Sequence, residues 1–333
     1  MEKYSIYKFK TVTREPVIRQ MKDGSLICTF LTGGETEPRL ENVVALSRSL
    51  DRGMTWSEPE TIVKHSSRGC WSTEVFVEDD KATVYFQTYY PPSHYRELIN
   101  YKTESKDCGK SWEEPISIKG LNGVSVRQGF KMSNGEILFP VYWQEISGEF
   151  DWKTENLLNL SPKWRFISGV AVSKDGEHFE KYGYLETPDD MWEPNAVEVE
   201  DGHIILYGRN ISGYLYFSES FDYGRTWNKA EKSNIKNANS KFSIVKIDKK
   251  ILLINNFNDK AGWNDRNNLS VAVSDDGKNF GEKLFHIEDE KEVWFYPHAF
   301  ADYDEKMLYV SYENSLEHKL AKIGFDELQI QGR

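Results

Sequence analysis

Cysteine is scarce: Cys28, Cys70 and Cys108 are the three in 333 residues, and no two stand in a Cys-x-x-Cys spacing. An odd, scattered set argues against a disulfide framework and a structural zinc site, and reads as reduced, buried thiols. Long apolar runs are lacking too, so no stretch approaches the roughly 18 residues a membrane-spanning helix needs. The opening Met1 to Lys10 has no apolar core of the kind that begins a secretion signal, and the sequence as written reads as cytoplasmic. Positive charge is in deficit, with 42 Lys+Arg against 53 Asp+Glu for a net −11. General nucleic-acid binding and binding to anionic membranes need a positive field, so neither partner is expected. No phosphate-binding glycine loop, nucleotide motif or metal-ligand cluster stands out, so no cofactor and no metal is expected.

Aromatic residues, by contrast, are plentiful. The 18 Phe, 18 Tyr and 10 Trp make up 14% of the chain, which excludes a disordered polypeptide. Helical periodicity is rare, and Gly and Pro interrupt the chain too often for long helices. What organises it is repetition. Ser49-Leu50-Asp51-Arg52-Gly53-Met54-Thr55-Trp56 returns as Ser105-Lys106-Asp107-Cys108-Gly109-Lys110-Ser111-Trp112 and as Ser220-Phe221-Asp222-Tyr223-Gly224-Arg225-Thr226-Trp227. Two shorter copies, Ser173 to Phe179 and Ser274 to Phe280, lose one residue and end in Phe. Ser and Asp side chains bond local backbone in such a turn, Gly supplies the positive φ, and the aromatic tucks beneath.

A second series of turns runs in step with the first. Asp23-Gly24, Asp79-Asp80, Asn134-Gly135, Asp201-Gly202, Asp248-Lys249 and Asp304-Glu305 lie 47 to 67 residues apart, each between β-type runs. Asx-Gly between such runs is a strong hairpin signal. Six hairpins, most followed by a second turn motif, describe four short strands per unit. The expected fold class is therefore all-β, a six-bladed β-propeller of four-stranded antiparallel blades, forming a single domain over residues 1–333. Blades begin near residues 14, 71, 126, 193, 240 and 296, and the first ten residues supply the outer strand of the last blade. The largest insertion, Gln144 to Arg165, falls within the third.

In a propeller the first two strands of each blade are innermost. Residues about eight before and eight after their turn therefore reach the opposite face. Counting gives Arg14, Trp71, Arg127, Glu193, Ser240 and Tyr296 before the turns, and Leu31, Gln87, Tyr142, Arg209, Asn256 and Tyr312 after them, with Glu313 adjoining. Such a polar and aromatic ring marks a concave binding site. Arg14 and Arg209 point into it, and Arg266 enters from the loop before the third strand of blade five. Arginine offers a planar fork matched to carboxylate, so the expected partner is an anionic substrate held by local field.

The order of these residues resembles the sialidases (neuraminidases) and their Asp-box relatives on six-bladed propellers, over essentially the whole chain. Arg14-Glu15-Pro16 followed by Lys22-Asp23-Gly24 is similar to the family's opening Arg-Ile-Pro strand and turn, with the middle residue changed. Glu193-Pro194-Asn195 and Arg209 resemble its Glu and second Arg. Arg266-Asn267-Asn268-Leu269 resembles the strand that brings in the third, while Tyr296-Pro297 and Tyr312-Glu313 resemble the catalytic Tyr strand and its partner. The resemblance implies that Arg14, Arg209 and Arg266 clasp a substrate carboxylate and that Glu313 holds Arg14. It implies Tyr296 as nucleophile with Glu193 as its base, an arrangement that spares a carboxylate nucleophile from repulsion by the substrate's own carboxylate.

One part departs. The loop that carries the family's Asp general acid reads Leu31-Thr32-Gly33-Gly34-Glu35-Thr36-Glu37-Pro38-Arg39-Leu40-Glu41, with no Asp. Glu37 is the nearest candidate for that role, given a raised pKa. His298, two residues after Tyr296, would share its side of an extended strand and line the same site. Three readings follow: an exo-acting glycoside hydrolase of sialidase type, an enzyme acting on uronate-containing glycans by hydrolase or lyase chemistry with His298 or Tyr296 as base, and a non-catalytic glycan- or protein-binding propeller.

Overall fold

The computed structural model describes residues 1–91, 97–146, 164–289 and 291–330. Most of the insertion over 144–165 lies outside these. The described residues form six antiparallel sheets and no α-helix, as the repeats predict. Blade one is β2 (Thr13–Gln20), β3 (Leu26–Thr32), β4 (Val43–Ser49) and β5 (Glu60–Val63). Blade two is β6 (Gly69–Glu78), β7 (Lys81–Tyr89), β8 (Ile99–Ser105) and β9 (Ile116–Ser117). In blade three the innermost strand is broken into β10 (Ser125–Val126) and β11 (Phe130–Lys131), both paired to β12 (Ile137–Ile146), with β13 (Trp164–Ser173) and β14 (Glu180–Leu185) outside.

Blade four is β15 (Trp192–Glu200), β16 (His203–Arg209), β17 (Tyr214–Ser220) and β18 (Glu231–Lys236). Blade five is β19 (Ser243–Ile247), β20 (Lys250–Asn256), β21 (Leu269–Ser274) and β22 (Phe285–His286). Blade six joins β23 (Phe295–Asp302), β24 (Met307–Glu313) and β25 (Glu317–Gly324) to β1 (Glu2–Lys8), so the ring is closed by pairing across the length of the chain. All six anticipated hairpin turns join the first two strands of a blade.

Burial follows the blade interfaces. Each of six apolar clusters lies between two neighbouring blades: Val17, Val44 and Leu46 meet Val75 and Val84 between blades one and two, and Leu252, Ile254 and Val271 meet Leu308 and Val310 between five and six. The strands alternate side chains between their two faces, and both faces are covered by a neighbour. This is why the central strands read as near-continuous apolar runs, such as Leu26–Leu31, all buried. Cys28, Cys70 and Cys108 are free and buried within this packing.

The five Asp-box turns connect the third and fourth strands of blades one to five. In each, the Ser hydroxyl accepts the glycine N–H at 2.8–3.0 Å. The Asp carboxylate accepts the Ser hydroxyl and backbone N–H groups beyond it, as Asp51 does from Ser49 Oγ at 2.8 Å and Thr55 N at 2.9 Å. Those bonds pull the Asp51 carboxyl down to about 2, with the Thr55 hydroxyl the largest contributor. The full boxes hold a non-glycine residue (Arg52, Cys108 or Tyr223) at positive φ ahead of the glycine; it is this residue that the short boxes omit. Blade six has no box because its third and fourth strands are not consecutive in the chain.

Candidate active site

Three innermost strands share one local device. Glu15, Glu193 and Tyr296 each precede a proline, and each has positive φ, at 62°, 45° and 55°. At each the pairing with the second strand slips, between Arg14 and Val17, Trp192 and Asn195, and Phe295 and His298. Proline gives the ladder no N–H and excludes the right-handed helical region for the residue before it, so a bulge falls there at little extra loss. A side chain held in the left-handed region still costs on the order of 1 kcal/mol or more, and such strain persists only where the surroundings fix it.

These bulges feed one connected network. Arg14 lies 3.9 Å from both Glu37 (Nε to Oε1) and Glu313 (Nη1 to Oε1). Glu313 Oε2 accepts the Glu15 backbone N–H at 2.6 Å and faces His318 Nε2 at 3.1 Å. Glu15 Oε2 in turn receives Lys241 Nζ at 2.8 Å, Trp71 Nε1 at 2.7 Å and Arg127 Nη2 at 3.2 Å. Lys241 sits 5.2 Å from the centre of the Tyr296 ring, and the Tyr296 hydroxyl accepts Arg266 Nη1 at 3.3 Å. Beside them Glu193 Oε2 and Arg209 Nε lie 2.7 Å apart, out of line for a hydrogen bond, while Arg209 Nη1 donates to the Asn239 carbonyl at 2.8 Å. Trp192 and Trp263 lie under the guanidinium groups of Arg209 and Arg266 at 5.5 and 4.1 Å.

The electrostatics divide the carboxylates. Burial first, and then the charge of Glu15, raise Glu37 to about 8 against the opposing pull of Arg14. Burial raises Glu313 to about 8 as well, with Arg14 opposing. Glu15 goes the other way: burial would raise it, but Arg127 and Lys241 outweigh that and hold it below the ordinary carboxylate range. Burial pushes Arg266 below its usual range, and neighbouring Arg209 adds to the shift. An anion entering between these two guanidinium groups would relieve both effects. Arg266 Nε, Arg127 Nη1, Glu313 Oε1 and Glu37 Oε2 are buried without a hydrogen-bond partner, polar capacity that a bound ligand could meet. Among the described residues no group of three or more His, Cys, Asp or Glu is placed to hold a metal ion.

Of the anticipated site residues, the structure brings Arg14, Glu37 and Glu313 together on one side and Glu193, Arg209, Arg266 and Tyr296 on the other. Glu193 meets Arg209 rather than the Tyr296 hydroxyl. His298 is placed elsewhere: Arg19 Nη1 lies 3.2 Å from its ring nitrogens and Glu74 Oε1 3.6 Å from Nε2. Burial, then Arg19, press its pKa down to about 4. It lines a cavity of about 480 Å³ at the turn-side end of the channel, with Arg19, Glu74 and Gln128. The bulge at Tyr296 is the reason, because it breaks the strand parity on which a shared side depended. The same kind of slip hid Glu15, one residue beyond the counted Arg14, while Lys241, one beyond the counted Ser240, stands ahead of β19. The Xaa-Pro pair repeated at three bulges was the signal for Glu15; Arg127, Trp71 and Tyr142 stood in the counted ring without an assigned role.

The sequence profile of the BNR repeat-like domain matches residues 24–310. A sialidase of Bacteroides fragilis (strain YCH46) is 23% identical over 322 residues, covering 83% of this chain and 54% of the relative, so the chain spans about half the length of that protein. Among solved structures, a Hadza microbial sialidase superposes with a TM-score of 0.72 at 18% identity, over 94% of this chain and 66% of that one. A Dyadobacter fermentans protein described as of unknown function gives the same TM-score at 16% identity, over 96% of this chain and 97% of its own. At such identities the structural likeness is one of fold.

Proposed function

This chain belongs to the family of BNR repeat-like domains, and on that premise we propose that it is an exo-acting glycoside hydrolase of sialidase type that removes a terminal acidic sugar. The observation that carries the reading is the network from Glu37 through Arg14, Glu15 and Lys241 to Tyr296 and Arg266, built on strained bulges around one channel mouth. Arg266 and Arg209, with Arg14 across the pocket, receive the substrate carboxylate. The Tyr296 oxygen attacks the anomeric carbon while its proton passes to Glu193. The glycosidic C–O bond breaks as Glu37, held protonated near neutral pH, gives its proton to the leaving oxygen. Water then attacks the anomeric carbon, returning a proton to Glu37, and Tyr296 departs with the proton from Glu193. The carboxylate of Glu193 has to turn from Arg209 toward Tyr296 for this, and a substrate carboxylate competing for Arg209 supplies the occasion.

The reading in which His298 acts as base in a lyase draws no support from an imidazole packed between Arg19 and Glu74. The test is a panel of fluorogenic sialosides, uronides and rhamnosides, with products followed by mass spectrometry. Release of an intact acidic sugar that vanishes in Tyr296→Phe is the expected result. Turnover surviving in Tyr296→Phe would remove the nucleophile, and a 4,5-unsaturated product would replace hydrolysis by elimination.

A further inference from the structure

Glu15 is the least expected member of the pocket. It is an acidic side chain, 6% exposed, on a strained bulge in the first strand, and its two oxygens are treated differently. Oε2 takes Trp71, Arg127 and Lys241. Oε1 takes no hydrogen bond from any described residue, yet it is not among the atoms sealed without a partner. The backbone N–H bond to Glu313 fixes the residue from behind. A carboxylate pinned by one oxygen and open at the other presents a fixed, charged acceptor to whatever fills the pocket.

We infer that Glu15 selects the substrate, its Oε1 accepting a hydrogen bond from an uncharged donor on the sugar, a ring hydroxyl or an amide N–H. This rests on the reading of the pocket as an acidic-sugar site. An ionised carboxylate can only accept, so the group facing it must donate. A cationic donor is opposed by Lys241 and Arg127, which already hold the same carboxylate at 2.8 and 3.2 Å. A second carboxylate on the sugar is opposed by Glu15 itself. The anionic end of the substrate is therefore steered to the Arg209 and Arg266 side, and a neutral polar edge to Glu15. A sugar lacking that donor would bury a charged acceptor unmet, which is a stronger penalty than a lost contact.

The experiment is calorimetric binding of N-acetylneuraminate and of glucuronate, each with its series of monodeoxy derivatives and, for the former, the derivative lacking the acetamido group. With the unmodified protein, one derivative of a parent that binds should bind roughly ten- to a hundred-fold more weakly than that parent. In Glu15→Leu the gap should close to within about threefold, and in Glu15→Gln, which keeps the shape and a weaker acceptor, it should narrow. The Gln variant and the derivative series on the unmodified protein carry the test if the Leu variant does not fold. Derivatives that all bind like the parent, or a gap unchanged in both variants, overturn the role of Glu15 while leaving the acidic-sugar site standing. Failure of both parents to bind overturns the acidic-sugar reading and this inference with it.

Discussion

The Asp-box turns and the pocket at the propeller axis both hold carboxylates against backbone at positive φ, and they do so to opposite ends. In a box the Ser and Asp side chains bond only within the turn. Ser49, Asp51, Gly53 and Thr55 satisfy one another within seven residues, and the carboxyl is drawn down to about 2. In the pocket the partners come from all six blades: Glu15, Glu37 and Arg14 from the first, Trp71 from the second, Arg127 from the third, Glu193 and Arg209 from the fourth, Lys241 and Arg266 from the fifth, Tyr296 and Glu313 from the sixth. Polar atoms there stay unmatched, and two carboxyls are driven up to about 8. The boxes spend polar groups on stability, whereas the pocket withholds them for a ligand.

The sharpest test of that division is in the pocket. Tyr296→Phe and Glu193→Gln should each cut turnover by roughly a hundred- to ten-thousand-fold with little change in melting temperature, and the double variant should be little worse than either, since the two act as one unit. Steady-state kinetics with a melting curve on each variant checks this; additive losses would separate them. A pH series comes next. Activity that needs Glu37 protonated should fall as pH rises through about 8, and the residual activity of Glu37→Gln should lack that alkaline limb. Stability should respond in the same window, because the folded pKa values of Glu37 and Glu313 lie above the ordinary 4.5. Their contribution is full below about 4.5 and is lost as pH rises through about 8. Asp51 behaves oppositely: its contribution is present above 3.8 and is lost as pH falls through about 2. Denaturant titrations across pH that showed one window only would erase the distinction between the regions.

The box side is probed by stability alone. In Gly53→Ala the new Cβ would meet Leu320 Cδ2 at 2.4 Å and Leu26 Cδ1 at 3.3 Å, at a φ of 88°. We expect a loss of about 2–4 kcal/mol, a melting temperature several degrees lower, and unchanged kcat in the folded fraction. Gly24→Ala should matter least. That hairpin glycine has a φ of 80° but nothing within 4 Å of a Cβ, leaving about 1 kcal/mol of backbone strain. A Gly24→Ala variant as damaged as Gly53→Ala would show that packing beneath the box is not what distinguishes it.

Legibility followed the same line. The Ser, Asp and Gly of each box and the six hairpin turns act on neighbours in sequence, so spacing was enough to read the blades. Counting from those turns also reached Arg14, Glu193, Arg209 and Tyr296, because two strands between turn and rim have a fixed length. The count failed where the strands bulge. One inserted residue at Tyr296 sent His298 to Arg19 and Glu74, and one at Glu15 put an acid where the alternation left no inward position. Lys241 finds its partner more than two hundred residues away at Glu15, and nothing in the local sequence states which charge answers which.

Closure of the ring has a consequence in time. Glu2 pairs with Lys322 and Lys8 with Glu317, so a strand made before blade one finds its neighbour only after the other five blades. Until β25 exists, β1 is an unpaired edge and blade six cannot be completed. Pairings this distant are slow to form and leave such edges exposed meanwhile. The pocket inherits that schedule. Tyr296 and Glu313 stand on the two strands of blade six nearest the axis, and the Glu15 backbone N–H of blade one donates to Glu313. A growing chain therefore cannot assemble this network while five blades are made, and completes it when β1 and β25 meet.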